Sequence, residues 1–288
     1  MMTKPQQIRV KPATQLTAEE KELNLRSLMR EMKTVLVAYS GGVDSAYLAL
    51  IATQELGERA FCVTGISPSV SDTQREQAEK LAGDFNFNFH KIQTEELKNP
   101  DYQSNPTNRC YFCKTELYGK LHPFAENRKI EFVLDGANTD DIGDYRPGRT
   151  AATEKGVRSP LIEVGLSKEE IRKLSRKLNL PSWDAPASPC LSSRIAYGLP
   201  VTIERLSKVE RGEEFLRSLG FREFRVRVHD ELVRLEIAPS ELERALQLET
   251  AEKLAEKFRK IGFRYVTIDL HGFRSGAMNE VLKVKGKN

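Results

Sequence analysis

Hydrophobic positions along this chain change period several times, and the changes mark its elements. In "TAEEKELNLRSLMREM", Leu25, Leu28, Met29 and Met32 recur at helical intervals behind Thr17 and Glu20, which have capping-box spacing. This pattern predicts a first helix. "KTVLVAYS" is an apolar run of strand length, "VDSAYLALIATQELG" is helical up to Gly57, and "RAFCVTGIS" reads as a second strand. Next, "DTQREQAEKLAGDF" predicts a helix, "FNFHKIQT" a strand, "KTELYGKLHPFAENR" a helix distorted by Pro123, and "IEFVLDGANTDD" a strand running into a loop. "SKEEIRKLSRKLNLP" predicts another helix, with a capping box at Ser167 and Glu170 and a stop before Pro181. Strands alternating with helices at these lengths imply a parallel sheet covered on both faces.

From Pro181 to Pro200 the pattern disappears into "PSWDAPASPCLSSRIAYGLP", which predicts a functional loop and a domain boundary. Beyond it the pattern is different. "TIERLSKVERGEEFLRSLG" is helical, "REFRVRVHDELVRLEIAP" reads as an antiparallel pair turning at His229-Asp230, two helical segments follow, and "FRYVTIDLHGF" closes as a strand. The expectation is an α/β domain over residues 17–198 and a smaller α+β domain over 199–288.

Composition narrows the function classes. The 288 residues are 39% hydrophobic and 30% charged, and no apolar run reaches the ~18–20 residues of a membrane helix. A cytoplasmic protein is expected, because the N-terminus "MMTKPQQIRVKPATQ" lacks the apolar core of a secretory signal. The four cysteines then read as thiols, not disulfide partners. A net charge of +4 suits an anionic ligand but is low for a dedicated nucleic-acid binder, and none is expected as partner.

"AYSGGVDSAYLAL" puts two glycines and two hydroxyls where a strand gives way to a helix, the place at which open α/β sheets hold ligands. Glycine lets backbone N–H groups approach an anion, and the helix start adds favourable partial charge. Ser40, Gly41, Gly42, Asp44 and Ser45 are therefore candidate phosphate-binding residues, although the lysine of the Walker pattern is missing. The stretch "LDGANTDDIGDYRPG" adds Gly136, Asn138, Asp140, Asp141, Asp144 and Arg146. It also has the composition of an ordinary Asn/Asp/Gly turn. Carboxylates beside phosphates recruit magnesium, and Asp44 and Asp141 are candidates to hold it.

Cys110 and Cys113 in "NRCYFCKTELY" can reach one metal from a turn or helix start, and Cys190 in "ASPCLSSR" can supply a third thiolate. No fourth zinc ligand is apparent. Three thiolates suit an iron–sulfur cluster with one iron open; a redox pair at Cys110 and Cys113 is the alternative. Cys62, inside "RAFCVTGI", is expected simply to be buried. In "FRVRVHD" Arg225, Arg227 and His229 share a strand face, which is either solvated or, with Arg274 of "HGFRSG", a receptor for phosphate or carboxylate.

The loop S-G-G-x-D-S resembles the PP-loop of the ATP pyrophosphatases. Combined with "DYRPGR", "SPCLSSRIAYG", "FRVRVH" and "GFRYVTIDLHGFRSG", it resembles the LarE family over roughly residues 17 to 280. The resemblance implies a PP-loop ATP pyrophosphatase fold, ATP cleaved to AMP and pyrophosphate, and ATP contacts at the Ser40–Ser45 loop, Gly136, Asn138 and Asp141. It implies adenylylation of a carboxylate of pyridinium-3,5-biscarboxylic acid mononucleotide and attack by sulfur, toward the nickel-pincer cofactor of lactate racemase. In one LarE type a single cysteine at the position of Cys190 is sacrificed. The added Cys110 and Cys113 resemble the three-cysteine type, in which a 4Fe-4S cluster carries an extra sulfide. Arg225, Arg227 and Arg274 then bind the substrate, sulfide or another donor supplies sulfur, and a homo-oligomer is expected. A tRNA thiolase shares the PP-loop and C-x-x-C pair but should carry an RNA-binding module. GMP and NAD synthetases need an ammonia source, and no glutaminase segment is seen.

Overall fold

The computed structural model describes residues 16–143, 146–186, 188–274 and 276–279. In chain order the helices are α1 (Ala18–Met32), α2 (Val43–Leu56), α3 (Asp72–Asp84), α4 (Pro100–Gln103), α5 (Arg109–Glu126), α6 (Pro147–Glu154), α7 (Pro160–Glu163), α8 (Lys168–Lys177), α9 (Ile203–Ser218), α10 (Leu242–Leu246) and α11 (Leu248–Ile261). The strands are β1 (Val35–Ala38), β2 (Ala60–Ile66), β3 (Asn88–Gln93), β4 (Phe132–Leu134), β5 (Phe224–His229), β6 (Leu232–Ile237) and β7 (Tyr265–Ile268). They fall into two compact units, neither continuous in sequence: residues 1–65, 77–92 and 117–185, and residues 66–76, 93–116 and 186–288.

The first unit is an α/β layer structure around a four-stranded sheet ordered β3-β2-β1-β4, with β1 parallel to both neighbours. Both capping boxes form: Thr17 with Glu20 opens α1, and Ser167 with Glu170 opens α8. α2 is apolar nearly all round, from Val43 through Ala52, and a helix of that kind is stable only when enclosed. Enclosure fixes its N-terminus, where the glycine loop sits. Cys62 is fully buried in β2, as expected, and burial pushes its thiol up to about 12.

The second unit holds a three-stranded sheet ordered β5-β6-β7. β5 and β6 form the expected hairpin, turning through Asp230 at φ 58°, and β7 returns parallel to β6 after α11. Leu206, Val209 and Leu216 of α9 are buried with Val226, Val228 and Leu235 of the sheet. Gly212 of α9 permits this packing: a Cβ there would stand 2.6 Å from the Phe258 ring.

Three helices have no counterpart in the sequence reading, α4, α6 and α7, and each carries proline in its first turn. α5 starts at Arg109, earlier than the expected Lys114, and continues through Pro123; the residue four back, where a proline ring crowds the helix, is Gly119. Among the described residues no helix is long and apolar enough to cross a membrane.

Candidate functional site

In the first unit, Gly41 has φ +76°, and a Cβ there would meet Ala78 Cβ at 2.8 Å, so the loop tolerates glycine alone. Gly42 caps α2 with extended backbone. Ser45 Oγ donates to Gly42 O (3.1 Å), receives Ser40 N (3.2 Å) and lies 3.0 Å from Ser40 Oγ. These bonds fold the loop over the start of α2, whose first N–H groups have no intrahelical acceptor. Gly136, just after β4, approaches so closely that a Cβ would lie 2.9 Å from Ser45 N. The two sequence motifs are thus one structure.

Asn138 and Asp141 form a capping box of their own. Asn138 Oδ1 accepts from Asp140 N (3.0 Å), and Asn138 N donates to Asp141 Oδ2 (3.0 Å). Arg146 is ion-paired to Asp141 at 2.6 Å. Asp144 lies outside the described residues. A residue that sequence reasoning missed, Lys168, binds both motifs: its Nζ is ion-paired to Asp44 and its backbone N–H donates to Asp140 Oδ2 (3.3 Å). It supplies a cation beside a loop that lacks the Walker lysine. Asp44 Oδ1 is buried with no hydrogen-bond partner among the described residues, a free oxygen of the kind a magnesium ion takes.

The three expected cysteines all lie in the second unit, and Cys190 is near enough for its charge to act on Cys110 and Cys113. Cys110 and Cys113 lie on the first turns of α5, three residues apart and so on one face. Cys113 and Cys190 are half-buried, whereas Cys110 reaches solvent. Protein packed around Cys110 and Cys113 raises both thiols above the ordinary value, and in each case the next cause is the charge of Cys190. Arg109, almost fully buried, donates to Ser192 O (2.9 Å), to Asn105 Oδ1 and to Cys110. Burial works against its charge, but Cys190 and Cys110 outweigh that and raise its pKa.

Cys190 is held in place, contrary to what an aperiodic loop suggests. Its carbonyl accepts from Ser193 N (3.0 Å), Ser193 Oγ (2.7 Å) and Arg194 (3.3 Å), and Leu191 N donates to Ser69 O (2.8 Å). Below it Tyr102 Oη, Ser192 Oγ and Ser69 Oγ form a buried hydroxyl triangle with edges of 2.6, 2.8 and 3.2 Å. Among the described residues no group of three or more His, Cys, Asp or Glu side chains is set to hold a metal ion. A cubane cluster makes a different demand, since each ligand binds a separate iron and the sulfurs need not converge on one point. The three thiols have the soft donor chemistry that such a cluster takes.

The arginine face of β5 is not solvated. Arg225 and Arg227 are 9% and 5% exposed. Arg227 Nε and its terminal nitrogen bind Glu236 (2.9 and 2.8 Å), and Arg227 also donates to Ser193 O (3.1 Å). Arg225 lies over the Phe273 ring at 4.6 Å; burial first, then Arg194, pushes its pKa down to about 10. Arg274 is half-buried beside Phe273, whose N–H donates to Ile237 O (2.9 Å), so "HGF" does fold against this sheet. Arg194 is buried and paired to Glu213, and its charge acts on Arg225, so guanidinium groups crowd one another in this part of the unit.

No family model matches the chain. A protein of Lactiplantibacillus plantarum, pyridinium-3,5-bisthiocarboxylic acid mononucleotide synthase, is 34% identical, over 92% of this chain and 96% of its own length. The chain belongs to the LarE family. An uncharacterized Synechocystis protein is 46% identical over 92% of this LarE-family chain and 98% of its own. A more distant likeness, at 24% identity over 57% of the chain and 36% of its own length, is to the glutamine-hydrolyzing GMP synthase of Thermotoga maritima.

Proposed function

We propose that this LarE-family protein transfers sulfur to pyridinium-3,5-biscarboxylic acid mononucleotide and uses ATP to activate the carboxylate. The observation that carries the reading is the end-to-end relationship to the L. plantarum synthase, whose name specifies a bisthiocarboxylic mononucleotide. In the first step a substrate carboxylate attacks the α-phosphorus of ATP, giving an acyl-adenylate and pyrophosphate. In the second, sulfur attacks the acyl carbon and AMP leaves, giving the thiocarboxylate.

Each step has residues suited to it. The Ser40–Ser45 loop and Gly136 offer backbone N–H groups to the departing pyrophosphate. Lys168 turns from Asp44 to the phosphates, and Asp44 and Asp141 then hold magnesium. Arg225, Arg227 and Arg274, within the C-terminal segment 199–288, orient the mononucleotide through its phosphate and carboxylates. Cys110, Cys113 and Cys190 hold a 4Fe-4S cluster, which when bound keeps an extra sulfide ready for transfer.

Anaerobic turnover with ATP, the mononucleotide and sulfide, followed by product analysis, tests the reading. AMP, pyrophosphate and a thiocarboxylated mononucleotide are expected. ADP and phosphate as the nucleotide products would exclude PP-loop chemistry.

A further inference from the structure

Three hydroxyls from three distant stretches of the second unit meet in one place. Tyr102 of α4, Ser69 and Ser192 are each 2% exposed or less. Tyr102 Oη lies 2.6 Å from Ser192 Oγ and 2.8 Å from Ser69 Oγ, and Ser192 Oγ donates to Ser69 Oγ at 3.2 Å. A hydroxyl has one proton to give, so a ring running from Ser192 to Ser69 to Tyr102 and back finds an acceptor for each proton without water. Tyr102 is otherwise packed in the apolar cluster of Leu191 and Ile195, where phenylalanine would serve as well. What the hydroxyl adds is direction. Apolar contact is non-directional, whereas a buried hydroxyl left unmet is costly, so the ring fixes where Ser192 sits.

The ring belongs to a set of bonds that seat the turn Leu191–Arg194. Leu191 N donates to Ser69 O (2.8 Å), Arg109 to Ser192 O (2.9 Å) and Asn105 Nδ2 to Ala196 O (2.8 Å). Cys190 opens this turn, and its carbonyl accepts from Ser193 N (3.0 Å), so a shift of the turn carries Cys190 with it. Burial, then the charges of Cys190 and Cys113, raise the Tyr102 hydroxyl above its ordinary value, which keeps its proton in the ring.

We propose that Tyr102 is a positioning residue for Cys190: its hydroxyl closes the ring that seats the Leu191–Arg194 turn, and the turn sets where Cys190 stands for sulfur transfer. The functional half rests on the sulfur-transfer reading above. It is the same whether Cys190 gives up its own sulfur or binds a cluster, since Tyr102 acts on the backbone that carries the residue.

The test compares wild type with Tyr102→Phe and Ser192→Ala, each of which removes one corner of the ring. Tyr47→Phe, which removes a buried tyrosine hydroxyl from the first unit, is the control. Amide hydrogen exchange is followed by peptide mass spectrometry, and first-turnover pyrophosphate release and thiocarboxylate formation are measured separately with ATP, the mononucleotide and sulfide. In Tyr102→Phe the amides of Leu191, Ser193 and Ile195 should exchange about tenfold faster, the size expected for a lost hydrogen bond, while those of α9 keep their rates. Thiocarboxylate formation should fall by a similar factor with pyrophosphate release unchanged. Ser192→Ala should behave alike, and covers the case in which Tyr102→Phe does not fold; Tyr47→Phe should change neither. Unaltered exchange at the turn, or faster exchange with undiminished sulfur transfer, overturns the proposal. So does a rise shared equally by α9 or an equal loss of both products, since either marks a hydroxyl that only stabilises the unit. Wild type that forms no thiocarboxylate overturns the sulfur-transfer reading, and the exchange rates still decide whether Tyr102 seats the turn.

Discussion

Nε of Arg194 lies 2.8 Å from Oε1 of Glu213, and both side chains are buried in the second unit. The same guanidinium donates to the carbonyls of Pro189 (2.6 Å) and Cys190 (3.3 Å), so the ion pair fixes where Cys190 stands. Replacing Glu213 by Gln leaves a buried cation uncompensated and should cost about 3–5 kcal/mol. A lower urea midpoint and faster alkylation of Cys190, under conditions where the variant is still folded, are the expected readouts. Unchanged alkylation would show that the pair stabilises the unit without positioning Cys190.

Lys168→Ala should weaken ATP binding roughly tenfold to a hundredfold, the worth of a charge-assisted hydrogen bond of about 1.5–3 kcal/mol. Calorimetric titration checks it. The pair with Asp44 is partly exposed, so the fold should hardly notice its loss. Equal affinity in the variant would remove Lys168 from the nucleotide site.

Gly136→Ala drives a methyl group to 2.9 Å from Ser45 N, and something must move. The expected cost is about 1–3 kcal/mol of stability with loss of ATP binding. Gly83→Ala, at a glycine with open space around it and, like Gly136, no positive φ, is the control for added bulk alone. If Gly136→Ala bound ATP normally, the close approach of the two motifs would have no functional meaning.

Changing Cys110, Cys113 or Cys190 to Ala should abolish the visible absorption of anaerobic protein and stop sulfur transfer, and Cys62→Ala should do neither. Sacrificial donation would look different. Only Cys190 would matter, and intact mass after turnover would fall by the mass of hydrogen sulfide, leaving dehydroalanine. That loss in active, iron-free protein would end the cluster reading.

Cluster-free protein should also lose stability in mild alkali. Burial raises the thiols of Cys62 and Cys113 above their unfolded values, so the folded state holds these protons more tightly. Their contribution is complete below the unfolded pKa of about 8.5 and declines as pH rises beyond it. Urea midpoints between about pH 8 and 9.5, below the range where unfolded tyrosines ionise, should fall in wild type and flatten when Cys62 and Cys113 are both Ala. A parallel fall in that double variant would assign the effect elsewhere.

Local signals were legible in the sequence and long-range ones were not. The Thr17–Glu20 and Ser167–Glu170 boxes and the Asp230 turn each depend on neighbours within a few residues, and each appears where the pattern put it. α4, α6 and α7 are too short for a period; their only cue was Pro100, Pro147 and Pro160 in the first turn. Lys168 looked like one more surface lysine because Asp44 is 124 positions away. Arg194 was missed for the same reason, since Glu213 is 19 positions away. The alternation of β5 correctly placed Arg225 and Arg227 on one face, but alternation does not say what covers a face, and the Leu191–Arg194 turn reaches Arg227 through Ser193 O.

The second unit is assembled from three stretches far apart in the chain, and this sets a schedule for biosynthesis. Cys110 and Cys113 leave the ribosome long before Cys190, and the hairpin whose Arg227 grips Ser193 emerges later still. At about 5–20 residues per second, the first two thiols spend several seconds without their third companion. On the proposed cluster reading, iron delivered during that interval would meet an incomplete ligand set, which places loading after translation. On that same reading, iron and sulfide would have to reach the finished chain and not the nascent one.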